Sequence, residues 1–229
     1  MSQLDERLLS ELVDAVKGLL RKEQADRLRD VYLIGDIEKD IARTTIERLR
    51  ELANEDEGKP INLYINSAGG NVTDGLAIHD AIQDLVARGT QVSVVVQGMA
   101  YSMGSVVLQA ASPGRRLSFP HSWIMIHEPA KWAGWQSTTA AAQHLDRLRQ
   151  MQNQIYQIMS VRSGRPLKQI IRDTRRVDFY LDAWRAKEYG LIDEVIGVAV
   201  RPDQAPAAAS EAIAEEGDQA LAAQERAPQ

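Results

Sequence analysis

The 229-residue sequence contains no cysteine. That excludes disulfides, thiolate nucleophiles and every zinc or iron–sulfur site built on Cys. Histidine is nearly as scarce, with only His79, His121, His127 and His144 present. No two of them stand at the HExxH or HxxxH spacing that puts two imidazoles on one helical face, so no resident metal is expected. A GxxxxGK[ST] phosphate loop is also missing, and no cofactor is read from the chain. Positive charge is not in surplus: 27 basic against 32 acidic residues give −5, whereas a nucleic-acid surface needs a local excess of Lys and Arg. The charged start, Met1-Ser-Gln-Leu-Asp-Glu-Arg7, lacks an apolar segment with a small-residue cleavage site, so the expected compartment is the cytoplasm. One uncharged run, Gly89–Gly114, extends for 26 residues, long enough to span a bilayer. Its Gln91, Gln97, Gln109 and interspersed Ser and Gly would be costly in lipid, so it reads as consecutive buried elements of a soluble core, with no membrane partner.

What is present is the balance of a globular protein, 44% hydrophobic and 26% charged. The length suits one large domain with appendages. Residues Asp203–Gln229 hold six acids and one base, which accounts for the whole net charge, since the other 202 residues carry 26 of each sign. The same stretch has ten alanines, with Ile213 and Leu221 as its only large aliphatics. Too little apolar surface remains to offset ordering entropy, and residues 201–229 are expected to form a mobile acidic tail. At the other end, Leu8, Leu9, Leu12, Val13, Val16, Leu19 and Leu20 stand at helical spacing, predicting an amphipathic helix within 1–26 and leaving 27–200 as the main domain.

Within that domain apolar runs alternate with amphipathic segments. Val31–Ile34, Ile61–Ile65 and Val92–Val96 each read as a strand, followed by helices near 40–52, 74–86 and 102–111. Such alternation predicts βαβ units and a mainly parallel sheet, hence an α/β fold. Ser122–Ile126 reads as a further strand, and a loop through Trp132 and Trp135 leads to a helix of over twenty residues, about 137–162. A helix this long projects from a domain of this size unless it packs on another subunit. Phe179–Leu181 reads as a strand, 182–189 as a short helix ended by Gly190, and 192–200 as the close of the fold.

Parallel α/β proteins bind ligands at the carboxyl ends of their strands. Two exits are glycine-rich: Asn66-Ser-Ala-Gly-Gly70 and Gln97-Gly-Met-Ala-Tyr-Ser-Met-Gly104. The second sets Ser102 between Ala100 and Gly104, and small flanks are what a sharp strand-to-helix turn needs to expose a serine oxygen. A serine there serves equally as a helix N-cap. His127 ends the strand Trp123–Ile126 and is the best-placed base of the four histidines; a lone histidine is otherwise a hydrogen-bonded structural group. His79 and His144 fall in helical patterns and His121 in a loop. A carboxylate must fix the imidazole tautomer. Asp178, at the mouth of a strand, is one candidate, but Glu128, Asp173, Asp182 and Asp193 are also possible.

Together these segments resemble the caseinolytic protease family ClpP, from about Val31 to Ile196. The resemblance rests on Ile65-Asn-Ser-Ala-Gly-Gly70, Gly98-Met-Ala-Tyr-Ser-Met-Gly104, Met125-Ile-His-Glu-Pro129 and Ala186-Lys-Glu-Tyr-Gly-Leu-Ile-Asp193. It implies a ClpP/crotonase-like fold with a long handle helix. It also implies a Ser102–His127–Asp178 triad, and an oxyanion hole made by the N–H groups of Gly70 and Met103. An extended substrate would lie beside Gly69, Gly70 and Asn71. By the same resemblance the chain is an endopeptidase for peptides and unfolded proteins, working inside a homo-oligomer of two heptameric rings that a AAA+ Clp ATPase feeds.

The sequence departs from the family pattern in four places. Ala68 replaces a proline, a charged helix replaces a hydrophobic axial loop at the start, the acidic tail is additional, and one extra residue falls in Asp173-Thr-Arg-Arg-Val-Asp178. Competing readings are a Ser–Lys dyad, a catalytically silent or ATPase-independent ring subunit, and a crotonase-type acyl-CoA enzyme. The dyad lacks a well-placed lysine, Lys131 being the only one between Lys59 and Lys168. A silent subunit usually loses a triad residue, and none is lost here; a crotonase-type enzyme would not need a serine in the turn.

Overall fold

A computed structural model of the chain describes residues 12–18, 29–56, 58–128 and 137–197. Two units are distinguished, Met1–Ile196 and Gly197–Gln229, and all but the first residue of the second lie outside the described residues. So do the loop through Trp132 and Trp135, Lys131, and most of the N-terminal segment, of which 12–18 are helical (α1) with Leu12, Val13 and Val16 exposed.

Among the described residues, seven strands form one sheet. Its main path runs β1(Asp30–Ile34), β2(Ile61–Ser67), β3(Val92–Tyr101), β4(Arg116–Ser118) and β7(Glu194–Val195), all parallel. Helix α2(Lys39–Glu55) connects β1 to β2, and α3(Val72–Ala87) connects β2 to β3. Each follows its sequence pattern: α2 buries Ala42, Thr45, Leu49 and Leu52, one stripe at helical spacing. In β2 every second residue is fully buried, and Leu63 and Ile65 join Leu33, Val94 and Val96 in the core.

The structure corrects the reading of the segment after Val96. Instead of turning there, β3 continues to Tyr101. Its first half pairs with β4 through Val94–Val96, and its second half pairs with β5(Trp123–Ile126) through Met99–Tyr101. Gly98 marks the exchange of partners, with φ +104, and a Cβ there would meet the Asn66 side chain at 2.8 Å. A buried hydroxyl completes the kink: Ser122 Oγ accepts from Gly98 N–H at 2.9 Å and donates to Val96 C=O at 3.0 Å. Glycine within a strand pattern here signals an irregular strand, not its end. The helix that follows, α4(Met103–Leu108), is correspondingly shorter than expected.

Antiparallel to β5 runs β6(Phe179–Asp182), the edge strand of this side branch. Helix α5(Thr138–Ser163) lies between β5 and β6 in the chain, capped by Ser137, whose Oγ accepts from Ala140 N–H, and ended by Gly164 in the left-handed region. Side chains described in its first half are exposed or half-buried, whereas Ile155, Tyr156 and Met159 are buried. Two elements escaped the sequence reading, β4 and α6(Leu167–Thr174). Helix α7(Ala183–Tyr189) is capped by Asp182 and stopped by Gly190. Behind the sheet, Arg116 on β4 is a hub: it pairs with Asp193 and donates to Gln109 Oε1 and to the carbonyls of Arg162 and Gly190. No helix among the described residues is long and apolar enough to cross a membrane.

Candidate active site

Ser102 stands between the end of β3 and the first turn of α4, with φ +50 and ψ −118. Few L-residues adopt this conformation, which costs about 1–3 kcal/mol. The backbone holds it there: Ser102 N–H donates to Met125 C=O at 2.9 Å, and Ser102 C=O accepts from Ser105 N–H and Oγ–H. The capping alternative does not hold, because the Ser102 side chain makes no cap hydrogen bond. Its Oγ lies 2.8 Å from His127 Nε2.

Close packing dictates the small residues around this turn. A Cβ on Gly69 would come within 2.6 Å of Ser102 Cβ and 2.8 Å of Tyr101 O. One on Gly104 would press on Ser67 O at 3.3 Å. Ala100 is fully buried.

The other ring nitrogen of His127, Nδ1, is 3.2 Å from Asp178 Oδ1. Spacing could not choose Asp178 among the acids, but strand register does. In the β5–β6 ladder Trp123 faces Asp182, Ile124 faces Leu181, Met125 faces Tyr180 and Ile126 faces Phe179. One step further sets His127 opposite Asp178. Upstream of the ladder, in the segment read as one residue longer than the family pattern, Arg176 takes a left-handed φ of +63 and Val177 is exposed. The other candidate acids are engaged elsewhere: Asp193 with Arg116, Asp173 with Arg172 and the Tyr189 hydroxyl, Asp182 with the α7 amide of Arg185, and Glu128 with Gln152.

The Gly69–Asn71 segment passes beside this turn. Ile37, a residue the sequence reading did not single out, bridges one edge of it: Ile37 N–H donates to Gly69 C=O at 2.6 Å, and Ile37 C=O accepts from Asn71 N–H at 2.8 Å. Gly70 sits between those bonds, with its N–H and C=O directed to the other edge, as alternate residues of an extended segment must be. Only glycine fits, since a Cβ would meet Ile37 O closer than any real contact. Gly69 N–H is bonded to Ser67 Oγ, and Asn71 Oδ1 caps α3 by accepting from Thr73 and Asp74 N–H. Of the three residues Gly69, Gly70 and Asn71, only Gly70 has a backbone N–H without a partner among the described residues. Met103 N–H is the first amide of α4. Neither it nor Gly70 N–H has a protein acceptor among the described residues.

Beside Ser102 and His127 opens a mainly apolar pocket, lined by Val72, Val106, Ile126, Ile155, Met159 and Ile170. Tyr156 and Thr174 contribute its polar wall. Of the remaining histidines, His79 contacts Asp80 on α3 and His144 lies on α5; neither is part of this group.

A serine oxygen on an imidazole, a carboxylate on the opposite ring nitrogen and two unspent amides are the parts of an acyl-transfer site. Comparison with known proteins agrees. The family model described as Clp protease matches residues 17–199. ATP-dependent Clp protease proteolytic subunit 1 of Gloeobacter violaceus is 44% identical over 168 residues, covering 73% of this chain and 83% of that protein. A match over most of the chain, with the serine, histidine and glycine segments inside it, shows that the chain belongs to the Clp protease family.

Proposed function

We propose that the chain is the serine endopeptidase subunit of an ATP-dependent Clp-type protease, with Ser102 as nucleophile, His127 as general base and acid, and Asp178 as the group that orients and stabilises the imidazole. The observation that carries this reading is the continuous Ser102–His127–Asp178 contact. His127 Nε2 takes the Ser102 proton as Oγ attacks the scissile carbonyl carbon. The resulting oxyanion is held by Gly70 and Met103 N–H, donors already in place and without other acceptors among the described residues. Nε2–H then protonates the leaving amine, the peptide bond breaks and an acyl ester remains on Ser102. Water, deprotonated by the same nitrogen, attacks the ester and releases the acid, restoring the serine hydroxyl. Asp178 accepts from Nδ1–H throughout and fixes the tautomer that leaves Nε2 free to act as base. An extended peptide pairs with Gly70, and backbone pairing of that kind tolerates many sequences.

In the same reading the chain works in the cytoplasm as two stacked heptameric rings, fed with unfolded polypeptide by a AAA+ Clp ATPase. Support comes from the name of the 44% identical relative and from the exposed first half of α5, where Leu145 is 46% exposed. That face would be covered by the opposing ring.

The test is cleavage of a short fluorogenic peptide by the wild type and by Ser102→Ala, combined with mass-spectrometric mapping of fluorophosphonate label. Turnover and labelling should both be lost in Ser102→Ala. Undiminished cleavage by that variant would overturn the proposal.

A further inference from the structure

Tyr156 lies at the centre of a hydrogen-bond chain that the chemistry above does not use. Its side chain is 4% exposed and lines the pocket next to Ser102 and His127. Gln152, one turn earlier on α5, donates from Nε2 to Tyr156 Oη at 3.1 Å and to Glu128 Oε1 at 3.0 Å. Tyr156 Oη is 3.2 Å from Thr174 Oγ1, and Thr174 is 1% exposed. Thr174 has a single hydroxyl proton, and the Ile170 carbonyl, which can only accept, takes it at 2.8 Å. The Tyr156 hydroxyl must then donate to Thr174. The direction is thus fixed along the whole chain, from Gln152 N–H through Tyr156 O–H and Thr174 O–H to Ile170 C=O.

The two ends of this chain matter. Glu128 immediately follows His127. Thr174 is the last residue of α6, and the segment Arg175–Val177, with its left-handed Arg176, runs directly from it to Asp178. Asp178 stands one step beyond the β5–β6 ladder with its side chain 53% exposed, so the register that brings it opposite His127 is backed neither by a ladder pair of its own nor by full burial. We propose that Tyr156 is a positioning residue: through Gln152 and Thr174 its hydroxyl ties α5 to the two segments that present His127 and Asp178, and so maintains the contact between them. This rests on the triad reading above. A chain of mutually polarised hydrogen bonds, buried from Tyr156 through Thr174 to Ile170, suits the task, because small displacements of reacting groups carry large rate costs.

Tyr156→Phe removes the hydroxyl and keeps the ring that lines the pocket. In the assembled protein, kcat on a fluorogenic peptide should fall about tenfold while KM stays within about twofold. The rate of fluorophosphonate labelling at Ser102 should fall by a similar factor. Thr174→Val should behave alike, and the double variant should lose no more than the worse single, since both break one chain. A folded, assembled Tyr156→Phe with kcat within about twofold of wild type overturns the proposal, as do losses that multiply in the double variant. If Tyr156→Phe proves unfolded by its melting curve, Gln152→Ala, outside the pocket, decides: lowered kcat at constant KM supports the positioning role and unchanged kcat rejects it. Ser102→Ala runs alongside. Turnover surviving there removes the underlying triad reading, whereas its loss beside a fully active Tyr156→Phe removes only the role of Tyr156.

Discussion

At the scale of single residues, the proposed nucleophile depends on what its neighbours lack. Ser102 holds a strained backbone because Gly69 lets the adjacent segment come within van der Waals reach of the turn. Gly69→Ala, which also forces an L-residue to φ +101, should cost at least about 100-fold in kcat. The loss should exceed any effect on melting temperature, because the displaced atoms are those of Ser102 and of the amide at Met103; peptide hydrolysis and a thermal melt of the same sample check this. Ser102 and His127 were legible in the sequence because both stand at strand exits flanked by telling residues. For Asp178, spacing left several acids open and only the family resemblance pointed to it, since what sets it opposite His127 is cross-strand register, a tertiary property that no spacing encodes. Ile37, Gln152 and Tyr156 were hidden for a related reason. Each reads as an ordinary member of a strand exit or a helical stripe, and its role comes from a partner distant in the chain.

At the scale of elements, β3 is the piece that gathers the site. Its first half belongs to the parallel core and its second half to the β5–β6 branch, so one strand carries the serine while the branch it recruits brings the histidine and the acid. Ser122 supports that exchange by bonding a backbone group on each side of the kink, Gly98 N–H and Val96 C=O. Ser122→Ala takes the acceptor from the part-buried Gly98 N–H, while Val96 C=O still accepts from Phe119 N–H, and should destabilise the fold by about 1 kcal/mol, measured by chemical denaturation. Strands β1 and β2 and helices α2 and α3 were readable because burial follows their period. The far half of β3 was masked by Gly98, and β4, at three residues, is too short to show any period. Helix α6 does have apolar residues at the right spacing, Leu167, Ile170 and Ile171, but eight residues after a proline left little pattern to detect.

At the scale of the whole molecule, the Arg116–Asp193 pair locks the back of the sheet to the ends of α4, α5 and α7. Arg116 is 8% exposed and Asp193 23%. Burial alone would raise the Asp193 pKa, but hydrogen bonds from Arg116 and the charges of Arg116 and Arg162 outweigh it and hold the carboxyl below its ordinary value of 3.8. A carboxyl that binds its proton more weakly when folded stabilises the fold above the unfolded value, and that contribution disappears as pH falls through the lower folded value. Asp193→Asn, which leaves a buried guanidinium without its counter-charge, should cost about 3 kcal/mol near neutrality. The gap from wild type should narrow as pH drops below about 4, as read from denaturation curves across that range. The segment ahead of Asp178 has a practical consequence of a different kind. Val177 is 56% exposed and the chain contains no cysteine, so Val177→Cys would create one thiol per subunit, next to the acid. A fluorophore attached there would report directly on the surroundings of the site, subunit by subunit, with no competing label anywhere else in the chain.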